Sequence, residues 1–192
     1  MAALSIKVIM GSTRQNRFSD KPARWIADEA RKRPDLDVEL LDLRDYSMPF
    51  YDEPKSPSAY PDGVPHPVVA RWRDRILAGD GFIIATPESN HGYPAVLKNA
   101  LDYVYHAWNR KAVGFVSWGG VSGVRSVEQL RLVCIELQMA PIRAAVHLRD
   151  FSTLVDEHGT FQAESVQKPA ARFLDELTWW TRALRTARDA GR

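Results

Sequence analysis

Apolar positions along the chain alternate between two periods. The run Ile6-Lys7-Val8-Ile9-Met10 is almost continuous and stops at Gly11, the pattern of a strand buried on both faces and ended by a turn. Val38 to Leu43, Gly81 to Thr86, Ala112 to Ser117 and Pro141 to Leu148 read the same way. Between these runs the spacing becomes helical. In residues 19 to 33, Ala23, Ile26, Ala27 and Ala30 share one face, with Ser19 or Asp20 as candidate N-cap and Pro34 beyond the end. Pro67 to Ala78, Pro94 to Trp108, Ser122 to Met139 and residues 165 to 187 follow that spacing too. Residues 44 to 66 fit neither period. Prolines 49, 54, 57, 61 and 65 fix φ and remove backbone donors there, which predicts an ordered, irregular loop, either a binding rim or a cover over the sheet edge.

Strands alternating with helices of this length predict parallel βαβ units, and so an α/β sandwich of three layers. Five strands fit the flavodoxin-like order 2-1-3-4-5. A length of 192 residues suits one domain, taken as residues 1–192. Lys plus Arg (26) barely exceeds Asp plus Glu (24), so no nucleic-acid partner is expected. One cysteine, Cys134 on an apolar helix face, excludes an intramolecular disulfide and a multi-cysteine zinc site. No histidine pair has metal-ligand spacing. No apolar stretch approaches a membrane span, and the opening residues lack a secretory pattern. The expectation is a cytoplasmic protein without a membrane partner.

Candidate chemistry gathers in three loops, each following a strand. Gly11 to Ser19 precedes a helix N-terminus, whose free N–H groups attract anions. Ser12, Thr13 and Ser19 add hydroxyl donors, and Arg14 and Arg17 add guanidinium forks suited to phosphate. The loop is neither a Walker A motif nor G-x-G-x-x-G. Pro87-Glu88-Ser89-Asn90-His91-Gly92-Tyr93-Pro94 follows the third strand, and Ser117-Trp118-Gly119-Gly120-Val121-Ser122-Gly123 the fourth. Prolines and glycines there hold a rigid backbone that a ligand can approach closely. In the predicted strand order the three loops are neighbours, forming a phosphate pocket beside a slot for a planar ring.

These residues resemble the NAD(P)H-dependent FMN reductases of flavodoxin-like fold, relatives of the quinone, azo-dye and chromate reductases. The match lies in Gly11-Ser12-Thr13-Arg14, in the long segment from Pro87-Glu88 through Asn90-His91-Gly92-Tyr93-Pro94 to Asp102, and in Gly119-Gly120-x-Ser122-Gly123. The resemblance implies FMN phosphate bound by Ser12, Arg14, Arg17 and Ser19. It implies ring contacts from Pro87, Glu88, Ser89, Asn90 and His91, and from Ser117, Gly119 and Gly120. NADPH or NADH then supplies hydride and a small acceptor (quinone, flavin or azo compound) removes it, in ping-pong fashion and without an acid or base from the protein. The family usually has tyrosine where this chain has Ser89, so part of the ring should be more open. The resemblance also implies a homodimer or homotetramer, for which Trp179, Trp180 and the aromatic cluster Tyr93, Tyr103, Tyr105 and Trp108 are candidate seams. Arg125 and Arg131 read as solvated helix arginines, with a reach to a nicotinamide nucleotide phosphate as the alternative. The arginine-rich end, Arg182 to Arg192, reads as fraying. Two other classes stay open: an FMN electron carrier, disfavoured by the net charge of +2, and a flavin-binding protein without turnover.

Overall fold

Both faces of the first apolar run are covered: Ile6, Val8, Ile9 and Met10 are fully buried, which makes Leu4–Met10 (β1) a central strand. The computed structural model describes residues 2–191. Met1 and Arg192, the outer ends of the opening segment and of the arginine-rich tail, lie outside the described residues. The elements then run α1 (Asp20–Arg31), β2 (Leu36–Asp42), α2 (Pro67–Leu77), β3 (Gly81–Pro87), α3 (Ala95–Asp102), β4 (Ala112–Trp118), α4 (Val124–Glu136), β5 (Ala140–Leu148) and α5 (Gln167–Ala190). All strand pairings are parallel, in the order β2-β1-β3-β4-β5. Residues alternate sides along each strand, so the sheet has two cores. Ile6, Val8 and Ile83 meet Ile26 of α1 and Phe173 of α5 on one face. Ile9, Ile84 and Phe115 meet Trp72, Leu97 and Leu130 of α2, α3 and α4 on the other.

The helix expected over 94–108 ends at Asp102, and a short 3-10 turn, Tyr105–Trp108, replaces its second half. Tryptophan indoles stop it. Trp72 donates to the Ala100 carbonyl (2.8 Å) and Trp108 folds back to the Leu101 carbonyl (3.0 Å), taking acceptors that a continuing helix would use. Tyr103 and Trp108 are therefore core residues and not a subunit seam. The proline-rich loop is pinned to α3 by one side chain: Asn99 donates to the Pro49 carbonyl (2.7 Å) and accepts from the Tyr51 N–H (2.9 Å).

The arginine-rich end does not fray before Ala190. Arg182 pairs with Asp35 (2.5 Å), and Arg185 and Arg188 both reach Asp80 (3.2 and 3.1 Å), whose carboxylate also accepts from the Ser5 N–H. These pairs dock the last turns of α5 across the amino ends of the strands. Cys134 is buried, and burial pushes its thiol up to about 12, so it stays protonated and packs as a small hydrophobe.

Lys111, just before β4, is also buried; its ammonium donates to the Ile76 and Leu77 carbonyls (2.8 and 3.0 Å) and so caps α2. Burial, helped by nearby Arg188, pulls its pKa from 10.5 down to about 7. Between these two values the unfolded chain holds a proton that the folded chain has released, so stability rises with pH across that window. Below pH 7 both states are protonated and the cost of burying the charge is constant. Chemical denaturation at pH 7, 8 and 9 should show the wild type gaining up to about 1 kcal/mol per pH unit over Lys111→Met. A difference between the two proteins that is flat across this window contradicts the assignment.

Candidate active site

The carboxyl ends of β1, β3 and β4 lie side by side, and strand order reverses between β1 and β3. A crevice at such a reversal is where open α/β sheets hold ligands. The first loop, Gly11 to Ser19, starts from a Gly11 N–H bonded to the Ala85 carbonyl (2.8 Å). Its shape is set by Arg17. The guanidinium is buried, and all five of its N–H donors are used. Nε and Nη2 reach the Asp20 carboxylate (3.1 and 2.9 Å), Nη1 and Nη2 reach Asp42, and Nη1 also reaches the Ser12 carbonyl (2.5 Å). Burial opposes the charge, but the hydrogen bonds it donates to Asp42 and Asp20 outweigh that cost and raise the guanidinium's pKa. Asp20 is lowered by its bond from Arg17, and Asp42 is lowered because that bond and the Arg44 N–H overcome burial.

This corrects one expectation. Arg17 has no donor left for a phosphate; it braces the loop instead. Arg14 is exposed and makes no ion pair among the described residues, so its fork is free. Arg44, which the sequence reading passed over, donates to the Arg14 carbonyl (2.6 Å) and steadies that residue's backbone. Ser19 stands at the start of α1 but keeps helical angles and makes no capping bond, so its buried hydroxyl is uncommitted to the helix. Ser12 is buried too, and its hydroxyl accepts from the Arg14 N–H (3.4 Å).

In the second loop Ser89 and Gly92 exchange backbone hydrogen bonds (2.8 and 3.1 Å) around Asn90 and His91, both at positive φ (47° and 72°). Two left-handed central residues make a type I′ turn, a conformation uncommon for any residue but glycine and one that asparagine and histidine adopt more readily than most. The start of α4 holds it. Arg125 reaches Glu88 Oε1 (3.0 Å) and donates to His91 Nδ1 (2.6 Å), and Gln129 donates to the His91 carbonyl (2.8 Å). The buried Ser126 hydroxyl sits within bonding distance of the Pro87 and Gly92 carbonyls (3.1 and 2.5 Å). Arg125 thus commits Nε and Nη1 to this loop while its side chain stays 38% exposed, which makes it a partly solvated brace. Nothing local marked these roles, because the partners lie more than thirty residues away in sequence.

The third loop touches the second. Glu88 N–H bonds the Trp118 carbonyl (2.7 Å), and Gly119, at φ 151°, lies so close that a Cβ there would stand 2.7 Å from Glu88 Cβ. Only glycine fits. Gly120 faces open space. Ser117 is fully buried: its hydroxyl donates to the Ser122 carbonyl (2.8 Å) and pairs with His147 Nδ1 (2.7 Å). Burial, aided by Arg131, lowers the His147 pKa, and because the Ser117 proton goes to the Ser122 carbonyl, His147 donates from Nδ1. The site residues expected from sequence therefore meet at one rim, Arg17 and Ser117 serving as internal braces.

A hydroxyl-bearing turn with one free arginine, set beside two glycine- and proline-rich loops at the reversal of a 2-1-3-4-5 sheet, places the protein in the mononucleotide-binding class of flavodoxin-like fold. Residues 4–153 match the family described as NADPH-dependent FMN reductase. An NAD(P)H-dependent FMN reductase of Schizosaccharomyces pombe is 38% identical over 145 residues, 74% of this chain and 72% of that protein. A 2-hydroxy-1,4-benzoquinone reductase of a Burkholderia species is 27% identical over 188 residues, 94% of this chain and 97% of that protein. The fold is also similar to that of FerB, a flavoenzyme NAD(P)H:(acceptor) oxidoreductase from Paracoccus denitrificans, with TM-score 0.76 and 20% identity over 94% of this chain and 98% of that one.

The chain belongs to the NADPH-dependent FMN reductase family and is an FMN oxidoreductase driven by NAD(P)H. The site's chemistry fits the cofactor. Glu88 Oε2 is buried without a donor, an acceptor ready for a ring N–H, and the hydroxyls and Arg14 suit a phosphate dianion. Replacing Arg17 by Gln should lower unfolding free energy at pH 7 by about 3 kcal/mol, since it strands two carboxylates. The wild type should lose this advantage as pH falls below 3.8 through the lowered pKa values of Asp20 and Asp42, because protonation releases the pair. Urea titrations at pH 3 and pH 7 measure both effects, and a variant as stable as wild type at pH 7 removes the brace from the argument.

Proposed function

We propose that this protein is a two-electron reductase of quinone-type acceptors, with Ser12, Arg14, Ser19 and the start of α1 holding the FMN phosphate. The reading rests on one observation: the loops after β1, β3 and β4 are contiguous at the strand-order reversal. FMN, when bound, would supply two-electron redox chemistry between NAD(P)H and the acceptor. This chain's own residues bind and orient. Pro87, Glu88, Asn90 and His91 edge the ring from one loop, and Gly119 and Gly120 approach it from the other through backbone groups. Backbone N–H groups at the start of α4 favour negative charge on that edge. Ser89 is exposed and small, which leaves room over the ring for acceptors of varied shape. Relatives named as quinone reductases support that acceptor class.

The protein works as a homodimer or homotetramer in the cytoplasm. Leu132 and Ile135 are 71% and 60% exposed and share a helical face with Val124, an apolar strip on α4 that a second copy would cover. Among the described residues no helix is long and apolar enough to cross a membrane.

Under anaerobic conditions excess NADPH should bleach the 450 nm band of the FMN-loaded protein, and p-benzoquinone should restore it. Arg14→Gln should weaken FMN binding about tenfold or more in a fluorescence-quenching titration, since a charge-assisted phosphate contact is lost, while the apoprotein's unfolding midpoint stays in place. Equal FMN affinity in both proteins would remove Arg14 from the site; an unbleached flavin would remove the enzyme reading. In light scattering, Leu132→Lys combined with Ile135→Lys should yield a species half the mass or less of the wild type.

A further inference from the structure

β5 is an edge strand, and its open side floors a groove of about 520 Å³ between α4 and α5. Arg131 from α4, Arg143 and His147 from β5, and Lys168, Arg172 and Glu176 from α5 line it. Its backbone is not free for a peptide strand. Glu176 accepts from the N–H groups of Arg143 and Ala144 (3.0 and 3.3 Å), and Arg131 donates to the carbonyls of Ile142 and Arg143 (2.6 and 3.0 Å). Those four bonds close the strand edge at its irregular stretch, so pairing with another chain is blocked there.

The side chains left over are cationic. Glu176 is spent on the backbone, and the remaining carboxylate of the lining, Glu128, sits 3.9 Å from Arg131. Arg143, Lys168 and Arg172 make no ion pair among the described residues. Three uncommitted cations around a cavity of nucleotide size, with Ala144, Ala145 and Pro169 as its apolar part, match a small phosphorylated ligand. His147 joins this groove to the flavin rim, because its Nδ1 bonds the Ser117 hydroxyl, which bonds the Ser122 carbonyl of the third loop.

We propose that the β5 groove is a second anion site, distinct from the flavin phosphate loop, that binds phosphoryl groups through Arg143, Lys168 and Arg172 and is sensed at the flavin rim through His147. The site goes beyond the acceptor reading and does not depend on which acceptor is reduced. Two sources carry this chemistry: the 2′-phosphate of NADPH and a separate phosphorylated metabolite.

The test uses the FMN-loaded protein in low-salt buffer free of phosphate, so that FMN already fills the first anion site. Pyrophosphate is titrated by calorimetry into the wild type and into Arg143→Gln/Lys168→Gln/Arg172→Gln. The three exposed substitutions should leave FMN content and unfolding midpoint as in wild type and weaken pyrophosphate binding at least tenfold. NMR signals of the His147 ring should shift with pyrophosphate in the wild type only. A KM for NADPH that rises in the triple variant while that for NADH does not identifies the co-substrate as the source. Unchanged KM values together with lost pyrophosphate binding identify a separate ligand. Equal pyrophosphate binding by both proteins, no binding by either, or His147 signals that do not move would overturn the proposal. NADPH bleaching of the same samples reports independently on the reductase assignment.

Discussion

Arg17 is the interaction from which the rest of the site follows. One buried guanidinium joins the first loop through the Ser12 carbonyl, α1 through Asp20 and the end of β2 through Asp42. Taking such a charge out of water is costly unless every donor is satisfied, and here each one is. The arrangement also decides what its neighbour can do. Two arginines lie three residues apart in a glycine-led turn, and because Arg17 is consumed by structure, Arg14 is left as the exposed fork at the surface. A fixed backbone and a free cation are the two properties a phosphate turn would need, and here they fall on different residues.

The other half of the rim is held in a similar way from α4. Positive φ at Asn90 and His91 stores strain that the turn's own two hydrogen bonds would balance poorly. Arg125, Ser126 and Gln129, all in the first two turns of α4, bind that loop's side chains and carbonyls. The same helix begins at the glycine-rich third loop, so one rigid element is attached to both loops. Glu88 is the joint: its N–H bonds Trp118, its Oε1 meets Arg125, and its Oε2 remains buried and unanswered. An orphan acceptor of this kind is expensive in a finished core and reasonable in a place built to receive a donor.

How much of this could be read beforehand depends on range. Strands and most helices were legible because their signal is local periodicity, and the three loops were legible because glycine, proline and hydroxyl residues follow the strand ends directly. Strand order came from fitting the element count to a known topology. What escaped was each role set by a distant partner. Asp42 and Asp20 turn Arg17 from a ligand into a brace, two tryptophans cut α3 short, and Asp80 converts a charged tail into a docked helix. Arg125 looked solvated on a helical wheel, since a wheel shows the direction a side chain leaves the helix and not the loop that waits for it.

The edge of the sheet constrains assembly in turn. An open parallel edge invites strand pairing unless something blocks it. Here the register with β4 slips between Val113 and Phe115, and the displaced groups of β5 are taken by Glu176 and Arg131 from the helices on either face. A second copy therefore gains nothing by extending the sheet at that stretch. Large apolar side chains that remain in water include Leu132 and Ile135 on α4, Trp179 and Trp180 on α5, and Phe50 in the proline-rich loop. Apolar surface left in water therefore lies away from the blocked stretch of the edge, and α4, which also holds the second loop through Arg125, Ser126 and Gln129, carries part of it.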